Sequence, residues 1–279
     1  MRWKSSTELD SLRSPSALPT HEPTFASARF KQRQSATPPP NERAANALFW
    51  SFYAAVYDLV WDSPITLALA KVAEIHLPGG GIVVDLGCGT GLMTRDRAQS
   101  SIGVDTNRAM LTRAIRSHRI DLAVHGQADA TGLPTGTANA VIVSNVIHLH
   151  PEPRAIISEA LRICAPCGQV FFCWPLDEPD TDSVFLLDLR LGRHIASAML
   201  AHGLRRLIGI VAVLTRTSRN SSASIEHALH DTAGYDVVLD TVLHDCQRIV
   251  ILRTSSVVRV SADDSTVERD IRKRVMNTR

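Results

Sequence analysis

The chain lacks any apolar run long enough to cross a bilayer. Its longest, Leu207 to Leu214, follows directly on Arg205 and Arg206, whereas a span needs roughly 20 apolar residues. It also lacks an excess of one charge. Thirty basic and 28 acidic residues leave a net +2, so no whole-chain field draws it to nucleic acid or an anionic membrane. Cysteine is scarce. Five in 279 residues, without scaffold spacing, exclude a disulfide framework and suggest a reduced, cytoplasmic setting. Residues 1–20 have no apolar core, so no secretory leader is expected. Arg2, Lys4 and Arg13 among serines suit an organelle-transit segment, but Glu8 and Asp10 oppose it. No metal-ligand set stands out. Cys164-Ala165-Pro166-Cys167 is a lone C-x-x-C and reads as a structural turn.

What is present divides the chain. Residues 1–43 are rich in Ser, Pro, Thr and Arg and end on Pro38-Pro39-Pro40. They read as a disordered basic arm that buries too little surface to offset ordering entropy. Residues 254–279 form a polar tail, with a short helix possible near Val267–Val275. Between them, residues 44–253 read as one domain. Ala44–Trp61 is apolar and aromatic and suits a leading helix. Ser63-Pro64 then caps a second helix that stops at Pro78-Gly79.

A β/α alternation follows. Strands are expected at Ile82–Leu86, Ser101–Asp105, Leu122–His125, Ala140–Asn145 and Gln169–Trp174. Helices are expected at Gly91–Ala98, Asn107–His118 and Arg154–Ile163. Such alternation predicts a parallel sheet covered on both faces. Residues 182–216 read as a helical insertion. Tyr235–Leu243 and Cys246–Arg253 lie too close for a crossover, so they pair antiparallel. The fold class is therefore α/β: a Rossmann-like, doubly wound, mostly parallel seven-stranded sheet with an antiparallel C-terminal hairpin.

The most specific segment is Asp85-Leu86-Gly87-Cys88-Gly89-Thr90-Gly91. A buried strand runs into a turn with alternating glycines, where backbone can approach a ligand closely. A helix beginning at Gly91 would add free N–H groups. A dinucleotide loop reads G-x-G-x-x-G. Here the third glycine comes one residue early and Leu92 takes its place. Asp85 would repel a pyrophosphate and suits a ligand carrying an ammonium and a sulfonium. Asp105, at the end of the second strand, can accept both hydroxyls of a ribose.

These residues resemble motif I of class I S-adenosylmethionine-dependent methyltransferases, and Gly103-Val104-Asp105 resembles their second motif. Asp129-Ala130 resembles the segment that binds adenine. Ser144-Asn145-Val146 is similar to the end of the fourth strand, beside the methionine moiety. Leu161–Gly168 is similar to the turn before the fifth strand, with Cys167 where that turn has glycine. Phe52–Trp61 resembles the first helix of the quinone-biosynthesis and small-molecule branch. The stretch from Gly91 to Gly103 is a few residues shorter than in that family.

The resemblance implies S-adenosyl-L-methionine as cofactor, held by Asp85, Gly87, Cys88, Gly89, Gly91, Asp105, Thr106, Asp129, Ala130 and Asn145. It implies a lid at residues 182–216, whose apolar face could instead meet a second copy or, helped by Arg190, Arg193, Arg205 and Arg206, a membrane surface. His148 and His150 follow the fourth strand, and either is a candidate general base, with His148 favoured. Tyr53, Tyr57 and Trp174 are candidates for the acceptor pocket; simple packing of the leading helix on the sheet is the other reading for all of them, and the favoured one for Trp61. The expected function is methyl transfer to a small-molecule acceptor: a quinone, lipid or secondary metabolite. A macromolecular methyltransferase is the alternative, although no Asn/Asp-Pro-Pro-aromatic motif follows the fourth strand. A non-catalytic nucleotide-binding module comes next. A nicotinamide-dependent dehydrogenase is disfavoured by the glycine spacing and Asp85.

Overall fold

A computed structural model describes residues 53–54, 56–97, 100–176, 181–214 and 220–256. The arm at 1–43, residues 44–52 and the tail beyond 256 lie outside the described residues. Helix α1 comprises residues 53–54 and 56–61, and α2 spans Pro64–His76. Ser63 caps α2, its Oγ accepting the Thr66 amide, and Pro64 sits in the first turn, as the sequence predicts.

Seven strands follow: β1 Ile82–Leu86, β2 Ser100–Asp105, β3 Leu122–His125, β4 Ala138–Ser144, β5 Cys164–Pro175, β6 Tyr235–Leu243 and β7 Gln247–Thr254. Between them lie α3 Arg108–Arg116, α4 Pro153–Ile163, α5 Thr181–Arg190, α6 Ile195–Leu214 and α7 Ser222–His230. They form one sheet in the order β3-β2-β1-β4-β5-β7-β6. β1 pairs parallel with β2 and β4, and β7 pairs antiparallel with both β5 and β6. The chain leaves β1 in one direction and returns to its other side, so β1 and β4 flank a switch point where a crevice opens at the carboxyl ends.

The two faces of the sheet bury separate cores. Val84, Leu86, Val143, Phe172 and Trp174 pack under Ile156 and Ile157 of α4 and Ile225 of α7. Val83, Ile142, Phe171 and Cys173 pack under Ile65 and Leu69 of α2, with Val184, Leu187 and Leu191 beside them. Alternation along β1 places Asp85 with Val83, on the α2 side.

One expectation changes, and two details are added. No helix follows the glycine loop: residues 91–96 are turns. Gly91 and Asp96 have φ of 77° and 64°, and left-handed residues at both positions interrupt a right-handed helix. The insertion is helical as expected, and comprises two helices, α5 and α6. Helix α7 was not anticipated. Ser221 caps it by accepting the Ser224 amide.

Candidate active site

The glycine loop leaves β1 by extending its pairing with β2. The amides of Gly87 and Cys88 both donate to the Val104 carbonyl, at 2.8 and 3.0 Å. The backbone then turns through positive φ at Gly87 and Gly89. A Cβ at Gly87 would lie 2.6 Å from Val146, so the loop after β4 closes directly over it. A Cβ at Gly89 would lie 3.3 Å from the Tyr57 phenol, so the tyrosine ring lies across this turn.

Asp105 is held on both oxygens. The Gly89 amide donates to Oδ2 at 2.8 Å and the Asn107 amide to Oδ1 at 2.7 Å. Asn107 in turn caps α3 with its side chain. Asp85 differs. It is 1% exposed, and its Oδ2 has no hydrogen-bond partner among the described residues. Burial, and then the neighbouring Asp105 carboxylate, push its pKa up to about 7, against the pull of Arg97. A carboxyl group so placed is half ionised at neutral pH and becomes fully charged when a cation arrives. Burial also pushes the Tyr57 phenol up, reinforced by Tyr53 and the carboxylates of Asp105 and Asp85.

Asp58 of α1 pins the loop in the absence of a following helix. The Thr90 hydroxyl donates to its Oδ1 at 2.5 Å; Arg113 and Arg119 reach its Oδ2 at 2.9 and 3.0 Å. Burial alone would raise the Asp58 pKa, but these donors outweigh it and hold it below the usual range. Asp62 takes Arg95 in a fork of 2.7 and 2.8 Å. Sequence reading missed both aspartates. The available signal was their place on the tyrosine- and tryptophan-bearing face of the first helix.

The helical insertion meets the same helix. Asp188, fully buried, binds Arg193 at 2.9 Å and Arg205 at 2.8 Å. Arg193 donates to the carbonyl of Leu59 and Arg205 to that of Val60, at 2.9 Å for the latter. Arginine is well suited to the carbonyls at a helix C-terminus. Arg205 also stacks 5.6 Å from the Trp61 ring centre. Arg193 and Arg205 therefore face inward and offer nothing to a membrane; Arg190 and Arg206 remain exposed.

The remaining predicted residues fall into three groups. Asp129 lies in the turn after β3 with its Oδ2 3.3 Å from Nε2 of His150. Ala130 and Thr106 are exposed, and the Thr106 carbonyl lies 2.9 Å from the His125 ring. Asn145 has φ 53° and its amide donates to Cys173. Gly91 serves packing: a Cβ there would lie 2.9 Å from Arg119. Cys88 buries its side chain beside Leu111 and Ile120, leaving only its backbone at the loop. Trp174 is corrected outright. It lies on the face opposite Asp85, is fully buried, and donates its indole N–H to Ser222 at 2.8 Å. Tyr53 accepts the Trp61 indole N–H at 2.9 Å and stacks edge-on to Tyr57 at 5.4 Å. His148 sits half-buried in the turn after β4, and its carbonyl accepts the Asn220 amide. Both nitrogens of His150 are engaged by protein groups, Nε2 by Asp129 and Nδ1 by the Glu152 backbone, which leaves it poorly placed as a base.

Comparison with known proteins agrees with this geometry. The methyltransferase-domain family matches residues 84–172, from the loop-bearing strand to the middle of β5. Residues 84–172 are thus similar to a methyltransferase domain. Over 130 residues it is 29% identical to phosphatidylethanolamine N-methyltransferase of Cereibacter sphaeroides, covering 43% of this chain and 62% of that protein. It is 27% identical over 138 residues to ubiquinone biosynthesis O-methyltransferase of Xanthomonas oryzae pv. oryzae, covering 43% and 57%. The chain thus spans about 60% of the length of these curated relatives. The fold of the methyltransferase domain is shared with a crystal structure from Methanococcus maripaludis described as an S-adenosyl-L-methionine-dependent methyltransferase. That match has TM-score 0.52 and 14% identity, over 82% of this chain and all of the other. No helix among the described residues is long and apolar enough to cross a membrane.

Proposed function

We propose that this protein transfers the methyl group of S-adenosylmethionine to a small, largely apolar acceptor. The observation that carries the reading is the pair of carboxylates at the glycine loop. Asp105 is locked by two backbone amides, with lone pairs left for a ribose diol. Among the described residues Asp85 keeps a buried oxygen without a partner, which suits an ammonium group. A nicotinamide dinucleotide would set its pyrophosphate against that same carboxylate.

When bound, the cofactor supplies a methyl group on a sulfonium, ready for in-line displacement. The chain's own residues bind, orient and exclude water. Tyr57 covers the Gly89 turn with a ring face that suits a cationic sulfonium. Asp129 offers a carboxylate to the base. His148, at the carboxyl end of β4, takes the proton of an oxygen or nitrogen nucleophile.

An apolar acceptor is favoured by the second insertion helix, which exposes Ile195, Met199, Leu200, Leu207 and Ile210. The relatives named for phosphatidylethanolamine and for ubiquinone biosynthesis point the same way. The test is S-adenosylhomocysteine formation with a panel of demethylated quinones, phosphatidylethanolamine in mixed micelles, and transfer RNA. Turnover with a quinone or lipid is expected. Turnover with RNA alone would replace the small-molecule reading.

A further inference from the structure

The segment that carries α5 and α6 leaves the carboxyl end of β5. The chain returns beside the turn after β4, where the Asn220 amide donates to the His148 carbonyl at 2.8 Å. The insertion therefore starts and ends at the carboxyl edge of the sheet, where the crevice opens.

Helix α6 has two unlike faces. Ala198, Ala201 and Arg205, spaced by three and four residues, are buried. Arg205 is tied there to Asp188 at 2.8 Å and to the Val60 carbonyl at 2.9 Å. The opposite face carries Ile195, Met199, Leu200, Leu207 and Ile210, each more than half exposed. At about 100° per residue these five fall on one stripe. No residue of α6 is acidic, and Arg206 is exposed at the stripe's edge on the side of His202. Leu186 and Arg190 of the neighbouring α5 are exposed as well. The exposed carboxylate of α5, on Asp182, lies 3.3 Å from Nε2 of His202.

Apolar side chains scattered singly over a surface need no cover, but a stripe of five does. The charges choose what covers it. A second copy would bring another Arg206 and no α6 carboxylate to meet it. A lipid surface serves both parts. Acyl chains take the stripe, and anionic headgroups take the guanidinium at the end of its long side chain. The helix would lie along the surface, since its inner face is held by Asp188 and no helix among the described residues is long and apolar enough to cross a membrane. We propose that the outer stripe of α6 docks this protein on an anionic lipid bilayer, with Ile195, Met199, Leu200, Leu207 and Ile210 at the acyl boundary and Arg190 and Arg206 among the headgroups. The docking goes beyond the methyl-transfer reading and stands without it.

The experiment is cosedimentation of the full chain with phosphatidylcholine vesicles, with and without phosphatidylglycerol. The wild type is expected to bind the phosphatidylglycerol vesicles about 10- to 30-fold more tightly, and less so as salt rises. Arg190→Gln and Arg206→Gln should each cost about fivefold on those vesicles. Met199→Gln combined with Leu207→Gln changes no charge and alters only exposed positions, so the Tm should hold while binding falls by about tenfold or more. A tryptophan placed by Met199→Trp should be quenched by lipids brominated on the acyl chain, which reads contact of the stripe itself. Vesicle binding unchanged in the double variant would assign it to another part of the chain, such as the basic residues of 1–43, and overturn the proposal. Absence of binding, or equal affinity for the two vesicles, would overturn it as well. A dimer in solution that the double variant turns into a monomer would give the stripe to a second copy and likewise overturn it.

Discussion

The first helix carries two anchors of different kinds. Asp58 and Asp62 hold the glycine loop through Thr90, Arg95, Arg113 and Arg119, at the rim of the crevice. The Asp62 side chain is 38% exposed. At the C-terminal end of the same helix, Asp188, Arg193 and Arg205 join the insertion to the Leu59 and Val60 carbonyls, and the carboxylate there is sealed. The open anchor replaces the helix that the glycine loop lacks and so bears on ligand binding. The sealed anchor bears on stability, because a buried ion cluster is costly to break.

The largest effect should come from breaking the sealed anchor. Asp188→Ala leaves two arginines without their carboxylate, and a loss of about 3–5 kcal/mol in urea unfolding is expected. A loss below about 1 kcal/mol would mean that the cluster relaxes into water and is not sealed.

Asp85 sharpens the comparison, since it is an acid with no anchor. Its pKa in the fold is raised to about 7 from the usual 3.8. A raised pKa contributes stability that is fully present below pH 4 and is lost as pH rises through 7. Asp85→Asn should therefore unfold at a higher Tm than wild type at pH 8, by about 2–4 kcal/mol in stability, while losing cofactor binding. The difference should vanish near pH 4. Cofactor binding at pH 7 should also release protons, read as a dependence of the calorimetric heat on buffer ionisation enthalpy, and the release should fade by pH 9.

The open anchor gives the smallest change. Asp58→Ala should weaken S-adenosylmethionine binding about tenfold and cost about 1–2 kcal/mol of stability, since Arg113, 39% exposed, keeps access to water. Unchanged affinity would detach the first helix from the cofactor loop.

The sheet was legible because its inner strands are continuous apolar runs, IVVDL and AVIVSN among them, and because two adjacent strands can pair only antiparallel. The glycine loop and its two carboxylates were legible from spacing. The absent helix after the loop was not, since Gly91 and Asp96 declare their positive φ only in the folded chain. Arg193 and Arg205 read as surface charges because their partner, Asp188, stands 5 and 17 residues away in sequence. Trp174 read as a pocket residue because the sequence does not reveal which face its strand position serves. Its partner Ser222 belongs to α7, a helix marked in sequence by little beyond the Ser221 cap and Ile225, Ala228 and Leu229.

The most direct test of the central claim is calorimetric titration of S-adenosylmethionine into the wild-type protein and into Asp105→Ala, with NAD as comparison. The account predicts binding of S-adenosylmethionine to wild type, weakening of about 10- to 100-fold in the variant, and no binding of NAD. Tight binding of NAD, or S-adenosylmethionine affinity unchanged in Asp105→Ala, would contradict it.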